Sequence, residues 1–206
     1  MIVLKKPGSP DVVLASGSAI RRALLENAGV PVIIDPGKVD EDEVKRAMRA
    51  DKAPAAAVAE TLAEMKAARV VRRHPGALVF GADQMLECNG VWFDKPVDRD
   101  HAAAHLAALS GRAHRLISAV VCMRDGARIW RHVAVATLTM RPLSADFITA
   151  YLDALGPRAL TSVGAYQLEG LGAQLFTRIE GDYFTVLGLP LLPILDFLRA
   201  HGVIPE

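Results

Sequence analysis

The apolar run Val12–Ala15 gives way without a spacer to Ser16-Gly17-Ser18, and Ile20, Leu24 and Ala28 then follow at helical spacing up to Gly29. A short buried strand feeding directly into a helix is a building unit of α/β folds, and the rest of the chain keeps alternating the two patterns. Pro31–Ile34 reads as a strand, and the polar stretch Asp35–Asp51 as a loop with a short helix. Pro54 opens a long helix in which Val58, Leu62, Met65 and Arg69 share a face and Lys66 sits on its edge. Ala77–Ala82 is a buried strand ending at Asp83. Met85–Glu87 and Val91–Phe93 flank Asn89-Gly90 as a hairpin, and Arg99–Leu109 is helical. Ala113–Met123 and Arg128–Met140 form a longer hairpin turned at Asp125-Gly126. Phe147, Ile148, Tyr151, Leu152 and Leu155 mark a helix broken by Gly156-Pro157. A glycine-rich stretch runs from Gly164 to Gly188, and Pro190 and Pro193 open a last helix with Leu191, Ile194, Leu195 and Leu198 inward. The expected fold is α/β, a mixed twisted sheet with flanking helices.

Composition narrows the function classes. With 206 residues, 51% hydrophobic and 23% charged, the chain is expected to bury a core without disulfides or a structural metal. Its 24 Lys+Arg against 23 Asp+Glu leave a net charge of +1, so no basic footprint for duplex nucleic acid is present. An aromatic content of 5% argues against a stacking surface for single strands. Cys88 and Cys122 are far apart, which is neither a disulfide framework nor zinc spacing and suits a reducing compartment. The apolar start of the chain is short and precedes Lys5 and Lys6, the reverse of a signal peptide, and no run reaches bilayer length. A cytoplasmic protein acting on a small molecule is expected, with no membrane partner.

Four stretches carry chemistry. In Leu14–Leu25 two serines open a helix bearing Arg21 and Arg22. Free N–H groups, the helix dipole, hydroxyls and guanidinium groups together suit a phosphate, and the plain alternative is a capping serine with two solvated arginines. In Gly81-Ala82-Asp83-Gln84 the carboxylate follows an apolar run, where partial desolvation suits a base or metal ligand; its plain role is to cap the hairpin. Asp40–Glu43 adds carboxylates that otherwise read as a solvated face. Lys95, held before Pro96, can aim at a phosphate. The glycines from Gly164 onward imply close backbone approach or an ordinary multi-turn loop. Together these point to hydrolysis of a phosphorylated small molecule with Mg²⁺.

Eight segments in order bear a closer resemblance: Leu14–Leu25, Val39–Glu41, Leu62–Ala67, Gly81–Gln84, Lys95-Pro96, Leu109–His114, Gly164–Ala173 and Ile179–Leu191. In these the chain resembles the Maf-family nucleoside triphosphate pyrophosphatases, over nearly its whole length. The resemblance implies one domain over 1–206 with two lobes around a deep nucleotide-binding cleft. It also implies metal-dependent cleavage of a nucleoside triphosphate to the monophosphate and pyrophosphate. Matched by motif, Asp83 is the proton acceptor, with Lys66 and Lys95 as its catalytic companions on the phosphate side. Ser16, Ser18 and Arg21 bind phosphate, and Glu41 joins Asp83 as a carboxylate for a divalent metal, expected to be Mg²⁺.

Two features lean towards the branch resembling 7-methyl-GTP pyrophosphatases: Asp83-Gln84 and Glu169-Gly170. Ile20 stands where that branch has tryptophan, and Ala19 where the family usually has proline. Gln84, Glu169 and Ile20 are therefore the expected base-side contacts. The alternatives are a dTTP/UTP-type pyrophosphatase of the same family, a nucleotide-binding division regulator without catalysis, and a phosphatase acting on sugar phosphates. A homodimer is left open.

Overall fold

The computed structural model describes residues 3–206; Met1 and Ile2, which begin the stretch read for a leader, lie outside the described residues. In chain order the elements are β1 (Val12–Leu14), α1 (Ala19–Asn27), β2 (Ile33–Ile34), α2 (Glu41–Ala50), α3 (Ala55–Val71) and β3 (Leu78–Cys88). Next come β4 (Val91–Phe93), α4 (Arg99–Leu109), β5 (Ala113–Arg124), β6 (Ala127–Met140) and α5 (Ala145–Leu155). Three short 3₁₀ turns lead to β7 (Phe176–Glu180), α6 (Tyr183–Val186) and α7 (Leu191–Ala200). No helix among the described residues is long and apolar enough to cross a membrane.

The strands make one mixed seven-stranded sheet in the order β2-β1-β3-β5-β6-β7, with β4 on β3. β1 pairs in parallel with β2 and with β3, whereas β4 on β3 and β7 on β6 are antiparallel. The expected α/β class and mixed sheet are therefore present. Both hairpin turns lie where the dipeptides place them, with φ of +51° and +79° at Asn89 and Gly90 and +50° and +86° at Asp125 and Gly126.

Three expectations need correction. β3 does not stop at Asp83 but runs on to Cys88, because β4 folds back on its far half through Leu86↔Phe93 and Cys88↔Val91. What ends near Asp83 is the parallel ladder, since the last β1 pairing is Leu14↔Phe80. The α3 face is also rotated: Ala59, Leu62, Ala63, Lys66, Ala67 and Val70 are buried, Met65 is half-buried and Arg69 is exposed. Alanines pack as closely as larger apolar residues, and the pattern of large side chains hid that. Finally, the glycine-rich stretch contains a strand, β7, paired to the end of β6.

The chain forms two compact units. Among the described residues, the first comprises 3–84, Ser118–Ala134 and Tyr183–Glu206; the second comprises Met85–Ile117 and Val135–Asp182. The core of the first unit joins Leu14, Leu25, Phe80, Val120, Ile194 and Leu198, with Phe80, Trp130 and Phe197 in mutual ring contact. In the second unit His114, Tyr166 and Phe176 form a buried or half-buried ring cluster.

Candidate active site

The contact between α3 and β3 brings Lys66 and Asp83 together. A Cβ at Gly81 would sit 1.9 Å from the Ala63 carbonyl oxygen, so helix and strand meet backbone to backbone there. Side chains alternate along a strand, so Asp83 shares the face of Gly81. On α3, Lys66 lies about one turn beyond Ala63 on the same stripe. The two side chains consequently meet: Lys66 Nζ donates to Asp83 Oδ1 at 2.5 Å. Only 9% of Lys66 and 4% of Asp83 are exposed, so the pair is screened little by water.

Lys66 Nζ is also 2.7 Å from Glu41 Oε1. Glu41 is the first residue of α2, whose N-cap Asp40 accepts from the Glu43 amide at 3.0 Å. The acidic run is thus divided in use: Asp40 caps, and Glu41 turns to Lys66. Asp83 Oδ2 is buried and accepts no hydrogen bond. A carboxylate oxygen left so is costly, and a cation or a proton-bearing ligand would satisfy it.

Ser18 caps α1, its Oγ accepting from the Arg21 amide at 3.4 Å. The Arg21 side chain turns back into the protein. Its Nη1 donates to Ser16 Oγ at 3.1 Å and to the Ala82 carbonyl at 2.7 Å, and its Nε donates to the Gly188 carbonyl at 2.8 Å. Burial lowers the pKa of this guanidinium, opposed by the negative charges of Asp83 and Glu41. Arg22 is solvated and pairs with Glu26. Ile20 is half-buried in the first turn of α1.

Gln84 points to the other face of β3. Its Nε2 donates to Ser118 Oγ and to the carbonyls of Thr185 and Val186 at 3.0–3.1 Å, and Ser118 Oγ donates to the Thr185 carbonyl at 2.9 Å. A family model described as "Maf-like protein" matches residues 11–201. The chain belongs to the Maf-like family. Among similar proteins, a nucleoside triphosphate pyrophosphatase of Paramagnetospirillum magneticum is 58% identical over 190 residues, covering 92% of this chain and 98% of the relative. A 7-methyl-GTP pyrophosphatase of Rhizobium etli is 52% identical, covering 95% and 98%. A second protein so named, from Mesorhizobium japonicum, is 51% identical, covering 94% and 97%.

In this Maf-like protein Ser16, Ser18, Ile20, Arg21, Glu41, Lys66, Asp83 and Gln84 all belong to the first unit, and Glu41, Lys66 and Asp83 touch directly. Lys95 and Glu169 are exposed residues of the second unit. Sequence reasoning missed Gly81, whose place in a buried strand was the available signal for close helix approach. It also missed Ser118, which carries no sequence signature, and the Thr185–Val186 carbonyls, which lie within the Ile179–Leu191 segment but act through the backbone. Among the described residues no three His, Cys, Asp or Glu side chains converge on one point. The donor set is therefore two carboxylates sharing an ammonium. That suits a hard cation such as Mg²⁺, which takes one or two carboxylates and completes its shell with water and substrate phosphates.

Proposed function

We propose that this Maf-like protein hydrolyses a nucleoside triphosphate to the monophosphate and pyrophosphate. The observation that carries the reading is the Glu41–Lys66–Asp83 chain, buried at Lys66 and Asp83, which leaves one oxygen of Asp83 without a protein donor. The high identity to proteins named nucleoside triphosphate pyrophosphatases supports it.

Water attacks the α-phosphorus, the bond to the bridging oxygen breaks, and pyrophosphate leaves. Asp83 Oδ2 takes the proton of the attacking water, while Lys66 holds Oδ1 and so fixes the carboxylate's orientation. Glu41 steadies the Lys66 ammonium from its other side. Asp83 and Glu41 would hold a divalent metal, which when bound neutralises triphosphate charge. Such a cation is favoured on charge grounds: Arg21, Lys45, Lys66, Asp83 and Glu41 sum to +1, so these side chains alone leave most of a triphosphate's charge unmatched. Arg21 braces the turn at Ser16 and the strand at Ala82, so its part in phosphate binding runs through the backbone donors it steadies. Lys95 and Glu169 enter the reading by their motifs.

For the base we propose 7-methyl-GTP ahead of GTP, and GTP ahead of UTP or dTTP. The carboxylate of Glu169 can accept from both N1–H and the exocyclic amine of guanine, and it attracts the cationic 7-methylated ring. The Gln84 amide nitrogen is committed to Thr185 and Val186, so Gln84 shapes the site through the turn it holds. The test is a nucleotide panel with Mg²⁺, scored for pyrophosphate. Release of pyrophosphate with that ranking, and a move towards pyrimidines in Glu169→Gln, is the expected result. Higher kcat/KM for UTP or dTTP overturns the base assignment, and orthophosphate as the first product overturns the reaction.

A further inference from the structure

The segment between β2 and α2, which delivers Glu41, is fastened to α3 at three points. The first is Asp35. Arg73 grips its carboxylate with two parallel bonds, Nε to Oδ2 at 2.9 Å and Nη2 to Oδ1 at 2.7 Å. His74 Nε2 lies 2.8 Å from the same Oδ2. The carboxylate can only accept, so that nitrogen carries the hydrogen. Both partners stand in the turn that closes α3, where Arg73 Nη1 also donates to the Arg69 carbonyl at 3.1 Å.

The second point is Gly37. A Cβ there would lie 2.2 Å from the Lys66 carbonyl oxygen, so the segment rests directly on the backbone of the residue that holds Asp83. The Gly37 amide also donates to the Ala15 carbonyl at 3.4 Å, and the Asp35 amide to the Leu14 carbonyl at 3.2 Å. The neighbouring Pro36 lies against Gly17, in the serine turn before α1. The third point is the Glu41–Lys66 ion pair itself.

Lys66 and Arg73 are seven positions apart, about two helical turns. One helix thus acts as the template for both ends of the segment. A side chain 41% exposed at a helix start, tied within its own helix to Lys45 by an ion pair at 3.7 Å, takes much of its aim from where the incoming backbone is pinned. A bidentate Arg–carboxylate pair is suited to that, because it fixes direction as well as distance.

We propose that Asp35 is a positioning residue: clamped by Arg73 and His74 at the end of α3, it sets the 35–41 segment so that Glu41 engages Lys66. The inference rests on the reading of Glu41–Lys66–Asp83 as the reaction centre. It assigns the cluster a role that its surface position does not suggest.

The experiment is a double-mutant cycle with a structural readout. Asp35→Asn should lower kcat for pyrophosphate release about tenfold with nucleotide KM within about twofold. In the Glu41→Gln background the same change should cost less than about twofold, because the group it positions is already disabled. Arg73→Gln, at an exposed side chain, removes the clamp from its other half and should repeat the pattern. Hydrogen exchange should quicken over residues 38–45 in both variants and stay at the wild-type rate in β3. Full multiplicative losses in the double variant, or unchanged exchange over 38–45 in both single variants, overturn the proposal. If the wild-type protein releases no pyrophosphate from any nucleotide, the functional reading fails separately, and exchange over 38–45 alone decides whether the clamp positions Glu41.

Discussion

At the scale of single residues, the partners each polar group near Asp83 takes define its work. Lys66 divides its ammonium between two carboxylates, so Asp83 is not left as a lone buried charge. Arg21 looks like a phosphate clamp or a solvated arginine in the sequence, and in the structure it is a brace between Ser16, Ala82 and Gly188. The reason is local: a half-buried guanidinium takes the nearest carbonyls, and which ones those are depends on β3 and the turn before α7. Asp83→Asn tests the centre. It keeps the shape and the bond to Lys66 but cannot accept a proton, so kcat should fall by roughly 10²–10⁴. Melting temperature should move little, because Lys66 retains Glu41. Steady-state rates and a thermal melt on the same preparation check both halves, and near wild-type turnover removes Asp83 from the chemistry.

At the scale of elements, the contact of α3 with β3 is the feature from which the site follows. Alanines at 59, 63 and 67 and the absence of a side chain at Gly81 let helix and strand close until their backbones touch. Only at that separation can a lysine and an aspartate reach 2.5 Å without stretching across the core. Gly81→Ala drives a methyl into the Ala63 carbonyl. Overpacking of this kind costs about 3 kcal/mol, and for a chain of this size that lowers Tm by about 6–12 °C. The same shift parts Lys66 from Asp83, so activity should fall further than the loss of folded protein explains. A calorimetric scan alongside rates per folded molecule checks this. An unchanged melt would show that the strand yields to the methyl group and that the close approach does not set the Lys66–Asp83 contact.

For the molecule as a whole, a group outside the Glu41–Lys66–Asp83 chain is expected to set part of the acid sensitivity. His114 is buried in the second unit, with Nε2 2.8 Å from Tyr166 Oη, and burial pulls its pKa down to about 4. The unfolded chain protonates this imidazole near pH 6.5, whereas the folded chain keeps it neutral until about pH 4. Its contribution is therefore full above pH 6.5 and is lost as pH falls towards 4, amounting to roughly 2–3 kcal/mol at pH 4.5. Denaturant unfolding at pH 7 and pH 4.5 should show that drop, and His114→Gln should shrink it. An equal drop in the variant assigns the acid sensitivity to other groups.

Local patterns in the chain determined the α/β alternation, both hairpin turns, the α4 boundaries and Asp83 as a reactive candidate, whereas Lys66 became one only through the family resemblance. Each of these patterns depends on near neighbours: backbone φ at Asn89-Gly90 and Asp125-Gly126, capping at Asp98, and an apolar run ending in a carboxylate. Tertiary structure alone decided the buried face of α3, the course of β3 beyond Asp83, the pairing of β7 and the partners of Arg21 and Gln84. It also brought Asp35 to Arg73 and His74, residues 38 and 39 positions away. Contacts of that kind have no local signature, because they depend on how closely two backbones approach. That approach is set by the small residues between the elements, at Gly37 and Gly81, where a single added carbon would collide with a carbonyl oxygen.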